Sequence, residues 1–532
     1  MNIDKICEQL TIDEKIRLLG GVGDWHTYDC NGKIPSIMMT DGPHGIRKLE
    51  QEKVGDIETS KPATCFPTAS AIACSWNPAI VKKMGEAIAK EAKKEQISIV
   101  LGCGINIKRS PLCGRNFEYF SEDPYLTGKL ATGYIEGVQS LGIGTSLKHY
   151  AVNSQETRRM TSNSQIDERT LREIYLSAFE EVVKKAKPTS VMASYNRING
   201  EFGARNKYLL TDVLRKEWGF KGYVYSDWGA IEMLKNFHFT ARNSEEAALQ
   251  ALTAGLDVEA SSDCYPAIPG LIERGELNRE IVDEAVRRVL YAKFRIGLFD
   301  DPYGEKFAKG AIHSGKAIAL SKKIADESTV LLKNERQLLP LSIGKLKSIA
   351  VIGPNADQIQ FGDYTWTRDN RFGVTPLQGI RKWAGTNVKV NYAKGCSLVS
   401  MDESGIRQAV EAAEQSDVCV LFCGSASAAL ARDYKSSTCG EGFDQRPNLD
   451  RSTTRLDKSG SSHRQTCHSC LSNRQAFCHS LGKEKYTGYP GTMVCRGTER
   501  ELHSGHPVRK GISLRSADIL FSRKYRTSPS LL

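Results

Sequence analysis

Residues 223–230 read YVYSDWGA, and this stretch decides how the N-terminal part of the chain is interpreted. An alternating apolar run ends abruptly at Ser226 and Asp227, as a buried strand does where it meets a loop. Other short apolar runs alternate with amphipathic helical stretches, and these runs are SIVLG at 98–102, TSLKHYA at 145–151, TSVMASYN at 189–196 and AGLDVE at 254–259. Serial strand–helix units of this kind predict a parallel sheet.

The ends of these strands are chemically unusual. Several are polar or ionisable, namely Lys148-His149, Tyr195-Asn196, Asp227 and Glu259. In a closed (β/α)8 barrel all such ends open on one face, and a barrel needs about 250 residues. Residues 1–300 are therefore predicted to form a TIM-barrel-like α/β domain. Near its start, Thr11 and Glu14 form a capping-box pattern for a helix that Gly20 and Gly21 would end.

Beyond residue 300 the pattern is interrupted and then restarts. The Pro- and Gly-containing junction FRIGLFDDPYGEK predicts a linker over 301–345. LKSIAVIGPNAD and SDVCVLFCG read as strands, with IRQAVEAAEQS as a crossover helix, so 346–445 is predicted to be a partial α/β sandwich domain. Residues 446–532 form an atypical basic tail without apolar periodicity, which predicts a disordered or out-of-frame segment.

The distribution of charge argues against a nucleic-acid partner. The net charge is +11, from 73 Lys+Arg and 62 Asp+Glu. Residues 442–532 hold 16 of the basic and 7 of the acidic side chains, so the preceding residues hold 57 and 55 and are nearly neutral. The opening MNIDKICEQL lacks an apolar signal core, and no uncharged run is long enough to cross a bilayer. We therefore expect a soluble, cytoplasmic protein with no membrane partner, whose 15 scattered cysteines are reduced.

Asp227 itself has two interpretations. A strand-terminal aspartate is often the cap of the following helix. A carboxylate at a barrel mouth beside an indole also suits sugar chemistry, because the ring stacks on the apolar face of a pyranose while the carboxylate attacks the anomeric carbon. The stretch alone leaves both open.

Six motifs that are separated along the chain help to choose between the two interpretations of Asp227. They are MTDGPHGIR (39–47), CGRNFEYFSEDPYLTG (113–128), KHYAVNSQETRR (148–159), VMASYNRINGEFGARN (191–206), GYVYSDWGA (222–230) and CGEGFD (439–444). Together and in this order they resemble glycoside hydrolase family 3, over residues 1 to about 450. The DGPHG start and the stretch after Lys148-His149 are most similar to bacterial β-glucosidases.

The resemblance implies roles for matching residues. Asp227 corresponds to the catalytic nucleophile, Trp228 flanks the subsite, and Glu441 corresponds to the general acid/base contributed by the second domain. The implied sugar-binding side chains are Asp41, Arg115, Lys148 and His149, with Met192 and Tyr195 shaping the pocket floor.

Simpler interpretations of these residues stay open at this point. Arg115 and Lys148 supply positive charge that would keep Asp227 ionised, but they could equally be ion-paired with Glu118, Glu122 or Asp123. His149 could be a hydrogen-bonded core histidine. Glu441 could be a surface glutamate, because its neighbours are loop formers.

The implied activity is that of a retaining, exo-acting β-glucosidase that hydrolyses terminal non-reducing β-D-glucosyl residues without a metal or other cofactor. Its partner would be a small-molecule glycoside. A β-xylosidase or a dual enzyme is the nearest alternative, because glucose and xylose differ by one hydroxymethyl group. An N-acetylglucosaminidase is disfavoured, since KHYAVNSQE lacks the histidine that such relatives carry.

The tail supports a third hypothesis, a catalytically dead product of a damaged gene. Past CGEGFD the chain departs from the family pattern, and SADILF at 516–521 resembles a later family element, as if the reading frame were briefly recovered. Cys467-His468-Ser469-Cys470 mimics zinc-ligand spacing, but no second complete pair follows, so no metal site is predicted.

Overall fold

The computed structural model describes residues 2–50, 60–110, 113–301, 312–334, 337–367, 369–397 and 402–424, and the backbone of 466–472 and 495–498. One compact unit takes in Met1–Ala325 and Phe361–Arg368, and a second takes in Asp326–Gln360 and Asp369–Ala426. Glu441 and the side chains of Cys467 and its neighbours lie outside the described residues. The predicted ranges 1–300, 301–345, 346–445 and 446–532 stay predictions.

The strands are β1 (Gly21–Val22), β2 (His26–Thr27), β3 (Met39–Asp41), β4 (Ile99–Leu101), β5 (Gly144–Tyr150), β6 (Asn163–Ser164), β7 (Ser190–Ala193), β8 (Arg197–Ile198), β9 (Glu201–Phe202), β10 (Tyr223–Tyr225), β11 (Ser348–Ile352), β12 (Lys389–Ala393), β13 (Val418–Gly424), β14 (Thr466–Ser472) and β15 (Cys495–Thr498).

The α-helices are α1 (Ile3–Gln9), α2 (Ile12–Leu19), α3 (Ala69–Ala73), α4 (Pro78–Lys94), α5 (Pro124–Gln139), α6 (Glu168–Thr170), α7 (Ser177–Lys185), α8 (Ala230–Asn236), α9 (Ser244–Ala254), α10 (Ile268–Glu273), α11 (Arg279–Arg295), α12 (Gly315–Glu327), α13 (Pro376–Ala384) and α14 (Ile406–Glu414). Leu171–Leu176 and Tyr208–Glu217 are π-helical, and short 3₁₀ turns occupy Gly203–Arg205, Tyr265–Ala267, Ile343–Lys345 and Asn370–Phe372.

Five strands of the first unit form the predicted parallel sheet, in the order β10-β7-β5-β4-β3. Hydrogen bonds continue past both of its edges. Tyr225 bridges in parallel to Val258, and His26 bridges antiparallel to Met38. The Glu259 N–H donates to the Leu19 carbonyl at 2.9 Å. The first unit is accordingly a TIM-barrel-type α/β domain, as predicted.

Local sequence rules explain the ends of several elements. Helix α2 begins after Thr11, whose Oγ1 accepts from the Glu14 N–H at 3.2 Å, while Glu14 Oε2 accepts from the Thr11 N–H at 3.0 Å. The predicted capping box is therefore present, and the helix ends before Gly20. Three predicted strands form with shorter bounds and the one predicted at 145–151 forms one residue earlier, whereas AGLDVE contributes an isolated bridge at Val258.

The second unit contains a sheet in the order β12-β11-β13-β14-β15, parallel except for β15. Alternate residues of β11 point to opposite faces: Ala350 packs in a cluster with Ala409 and Ala413 of α14, whereas Val351 packs with Leu377 of α13. Apolar side chains on both faces explain why this strand reads as a continuous apolar run. The fold is an α/β sandwich domain, as predicted.

Across the described ranges, we find no helix both long and apolar enough to span a bilayer.

Candidate active site

Asp227 is a buried carboxylate at the end of β10, with 7% of its surface exposed. Its Oδ1 accepts from the Trp228 N–H at 2.9 Å, whereas no side chain or backbone group in the described part of the chain hydrogen-bonds to its Oδ2. Helix α8 is preceded by Gly229 in a left-handed conformation and has no side-chain cap. The helix-cap interpretation of Asp227 is therefore wrong, and one carboxylate oxygen is left available inside the domain.

The charge state of Asp227 reflects two opposing effects. Burial raises the pKa of this carboxyl, and the positive charges of Arg159, Arg115 and Lys148 lower it. Burial outweighs the cations, so the pKa lies above its ordinary value. Arg115 and Lys148 do act in the expected direction, but the largest opposing charge is Arg159, which the sequence analysis did not single out.

Arg115 and Lys148 share one buried acid, Glu118. Arg115 Nε donates to Glu118 Oε1, and Lys148 Nζ lies 3.3 Å from Glu118 Oε2. The Glu118 side chain is fully buried. Burial opposes its ionisation, but the two cations outweigh burial and lower the pKa of Glu118. The ion-pair interpretation is thus correct for Glu118, and the same pairing fixes both cations beside Asp227.

His149 is held as a neutral ring. Its Nε2 lies 3.2 Å from Arg115 Nη2 and its Nδ1 lies 2.9 Å from Tyr119 Oη. Because a guanidinium nitrogen can only donate, Nε2 must accept and Nδ1 carries the proton. Burial and the charges of Arg115 and Lys148 hold the pKa of His149 well below its usual range. The 3.8 Å approach of Nε2 to Asp227 Oδ2 is therefore not an ion pair.

The backbone of His149 is also fixed. Asn106 Oδ1 accepts from the His149 N–H at 3.0 Å, and Asn106 Nδ2 donates to the His149 carbonyl at 2.9 Å. This histidine is thus both hydrogen-bonded in the core and adjacent to Asp227, so its two interpretations are compatible.

Arg159 connects the loop after β5 to Tyr195. Its Nη1 pairs with Glu156 Oε2 at 2.8 Å, and its guanidinium carbon lies 4.7 Å from the centroid of the Tyr195 ring. The Tyr195 hydroxyl donates to the Trp228 carbonyl at 2.6 Å. Arg159 stands at the end of the motif KHYAVNSQETRR, so an arginine inside a recognised motif was the signal available in the sequence.

Asp41 ends β3 and is paired with a second missed cation, Arg47. Arg47 Nη1 lies 3.1 Å from Asp41 Oδ2, and the Arg47 N–H donates to the Asp41 carbonyl at 2.9 Å. Gly45 makes this tight loop possible, because at its φ of +142° a Cβ would lie 2.2 Å from the Thr64 carbonyl oxygen. Gly45 of the DGPHG motif therefore lets the loop that carries Asp41 and Arg47 pack against the Thr64 backbone.

The remaining predicted residues surround the same strand ends. Met192 is buried in β7, in register with Tyr225 of β10. Trp228 is half-buried and packs against Trp25, with ring centroids 5.2 Å apart. Every predicted site residue of the first unit thus derives from the carboxyl ends of its parallel strands or the loops that follow. Glu259 differs, since its carboxylate accepts from the N–H groups of Cys264 and Tyr265.

The fold and these residues define a class: α/β proteins with a TIM-barrel-type domain and an α/β sandwich domain, in which a buried carboxylate lies among arginine and lysine side chains at the barrel strand ends. Residues 25–292 match the profile of the glycosyl hydrolase family 3 N terminal domain, and residues 329–472 match that of the glycosyl hydrolase family 3 C-terminal domain. The chain belongs to glycosyl hydrolase family 3.

Characterised relatives agree with this assignment. The chain is 43% identical over 456 residues to thermostable beta-glucosidase B of Acetivibrio thermocellus, covering 84% of this chain and 56% of the relative. It is 40% identical over 452 residues to an exo-alpha-(1->6)-L-arabinopyranosidase of Bifidobacterium longum, covering 81% and 56%. The chain thus spans little more than half the length of either relative.

A crystal structure of a Bifidobacterium adolescentis GH3 beta-glucosidase has a similar fold. It matches with a TM-score of 0.73 and 35% identity over 88% of this chain and 64% of that one. The resemblance drawn from the motifs is therefore confirmed. The match to the C-terminal domain runs to residue 472, and β14, at 466–472, pairs in parallel with β13.

Proposed function

We propose that this chain is a retaining, exo-acting β-glycosidase that removes terminal non-reducing β-D-glucosyl residues, with Asp227 as the nucleophile. The observation that carries the proposal is a buried carboxylate at a barrel strand end whose Oδ2 has no hydrogen-bond partner among the residues that the structure describes. A structural aspartate at this depth would be expected to use both oxygens in hydrogen bonds. The family assignment and the beta-glucosidase relatives support the same reaction.

The reaction would proceed in two displacements. Asp227 Oδ2 attacks the anomeric carbon as Glu441, the proposed acid, protonates the glycosidic oxygen, so the aglycone leaves as an alcohol. Glu441 then removes a proton from water, which attacks the same carbon and releases Asp227. Neutral His149 can donate no proton from Nε2 and is therefore a binding group rather than the acid.

Substrate hydroxyls would be held by the charged residues around Asp227. Asp41 can accept from two adjacent hydroxyl groups, and Arg115 and Lys148 can donate to them. Because these side chains are already fixed by Arg47 and Glu118, little side-chain entropy is lost when a sugar binds. Trp228 would contact the sugar through its ring face.

The direct test is release of p-nitrophenol from its β-D-glucoside by the full chain. We expect turnover that saturates with substrate and products that retain the β-configuration when followed by NMR. An inverted product would contradict the mechanism. A chain with no turnover on any β-glycoside would instead favour the damaged-gene hypothesis.

A pentopyranosidase is the second candidate, because one relative is an L-arabinopyranosidase and L-arabinopyranose lacks the hydroxymethyl group of glucose. A hydrophobic pocket seldom rejects a ligand that lacks one methylene group by more than about 200-fold, whereas a site that hydrogen-bonds the missing hydroxyl can reject it by about 10⁴-fold. The comparison that decides is kcat/KM for the β-D-glucoside, β-D-xyloside and α-L-arabinopyranoside of p-nitrophenol. The glucosidase proposal requires the glucoside to have the highest value.

The pH profile offers a prediction about Arg159. A nucleophile must be ionised, so kcat/KM should fall as the pH decreases through the raised pKa of Asp227. Arg159→Met removes the largest charge that lowers this pKa, so the acidic limb should move to higher pH. Arg169→Met is the control, because Arg169 is exposed and pairs with Glu173 one helical turn away. If the acidic limb of the kcat/KM profile lies at the same pH in Arg159→Met, then Arg159 does not lower the pKa of Asp227.

A further inference from the structure

A short segment from beyond β11 packs within the first unit. We call residues 361–367 the strap. Gly362 of the strap has a φ of +109°, and a Cβ there would lie 2.3 Å from His44 Nε2. Thr365 Oγ1 lies 3.0 Å from the carbonyl oxygens of both Gly362 and Thr367, which closes the turn. The strap is therefore held closely on the fully buried His44.

The strap places Tyr364 over three cations of the candidate site. The centroid of its ring lies 5.1 Å from Lys148 Nζ, 5.2 Å from the guanidinium carbon of Arg115 and 5.8 Å from that of Arg47. Phe117 packs beside the ring, with centroids 6.0 Å apart. Tyr364 has a φ of +55°, a conformation uncommon for a residue with a side chain. Its position is thus set by this packing rather than by backbone preference.

The ring of Tyr364 attracts the three cations that surround it. The negative face of an aromatic ring attracts cations and offsets part of their mutual repulsion. Arg115 and Lys148 share the buried acid Glu118, and the ring supplies a further attraction to both cations. It also packs against both side chains and so restricts their rotamers.

We propose that Tyr364 is a sugar-positioning residue that holds Arg47, Arg115 and Lys148 in the orientation that binds the hydroxyl groups of a single pyranose. Its ring lies against these cations, and the non-reducing end of the sugar would lie beside them. This proposal rests on the proposed function only in taking a pyranose as the ligand. The role belongs to the ring face, not to the phenolic hydroxyl.

The test is direct binding of D-glucose, measured by titration calorimetry, together with KM and kcat for p-nitrophenyl β-D-glucoside. Tyr364→Ala should weaken glucose binding about tenfold or more, as expected for loss of ring–cation attraction in a partly desolvated site. Tyr364→Phe keeps the ring and should bind glucose within about twofold of the original chain. KM should rise in the alanine variant more than kcat falls, because a positioning residue acts on ground-state binding as well.

Tyr125→Ala is the matched control, since Tyr125 is 67% exposed and its ring lies 4.8 Å from Lys129 Nζ, away from the predicted sugar-binding residues. Unchanged glucose affinity in Tyr364→Ala would overturn the inference, as would a phenylalanine variant as weak as alanine. If the chain has no turnover but glucose binding weakens in Tyr364→Ala and not in Tyr364→Phe, the proposed hydrolysis is wrong and the inference about Tyr364 is supported. A chain that binds no glucose at all would overturn the inference as well.

Discussion

Replacing Asp227 by asparagine is expected to lower kcat for p-nitrophenyl β-D-glucoside by about 10⁶-fold, the order of loss found when a covalent nucleophile is removed. Asparagine keeps the size of the side chain and can still accept from the Trp228 N–H. The amide cannot form the glycosyl ester, so the loss is chemical rather than structural. The unfolding midpoint should be unchanged or raised, because a buried charge without a hydrogen bond to Oδ2 has been removed.

A covalent label provides the second readout for this prediction. An activated 2-fluoroglucoside should add one 2-fluoroglucosyl group to the original chain, on the peptide that contains Asp227, and none to the asparagine variant. Asp212→Asn is the control, since Asp212 pairs on the surface with Lys216. A label on another carboxylate would overturn the assignment, whereas a label on Asp227 without turnover would locate the defect in the acid/base step.

The second large effect is on stability, at Glu118. Glu118→Gln removes the charge that neutralises buried Arg115 and Lys148, and breaking a buried ion pair from one side costs about 3–5 kcal/mol. The free energy of unfolding, measured in urea by fluorescence, should fall by that order. Glu180→Gln removes an exposed charge paired with Lys184 and should change stability by less than about 0.5 kcal/mol.

The ion pairs of Glu118 with Arg115 and Lys148 also affect substrate binding. The effects of Glu118→Gln on the free energy of unfolding and on KM can therefore be measured separately. If Glu118 only stabilised the fold, the folded variant at low temperature would retain the KM of the original chain. We expect KM to rise instead, because Arg115 and Lys148 lose the acid that fixes their direction. A variant as stable as the original would show that the ring of Tyr364 and the remaining contacts suffice to hold both cations.

The sequence best predicted those elements whose signals lie within a few neighbouring residues. Short apolar runs located β5, β7 and β10, and Thr11 and Glu14 located the start of α2, because these signals depend on neighbours within a few residues. Parallel strands carry their ends to one side of a sheet, so the strand-end residues could be grouped before their contacts were known.

The sequence was less informative about which side chains contact one another. It offered Glu118, Glu122 and Asp123 as acids for Arg115 and Lys148 and could not choose among them. Arg159 lay within a motif but was not singled out, and Tyr364 lay in a range assigned to another domain. The contacts of Lys148 with Glu118 and of Tyr364 with the cations join residues that are distant in the chain, so no local pattern predicts them.

The sequence by itself determined the family, the barrel and sandwich domains, and the carboxylate at the end of YVYSDWGA. The tertiary structure decided that Asp227 does not cap a helix, that His149 is neutral, and that a strap from beyond β11 places Tyr364 on the cations of the site. The reason is physical. Periodicity is a property of adjacent residues, whereas burial and electrostatic attraction act through space and exist only once the chain has folded.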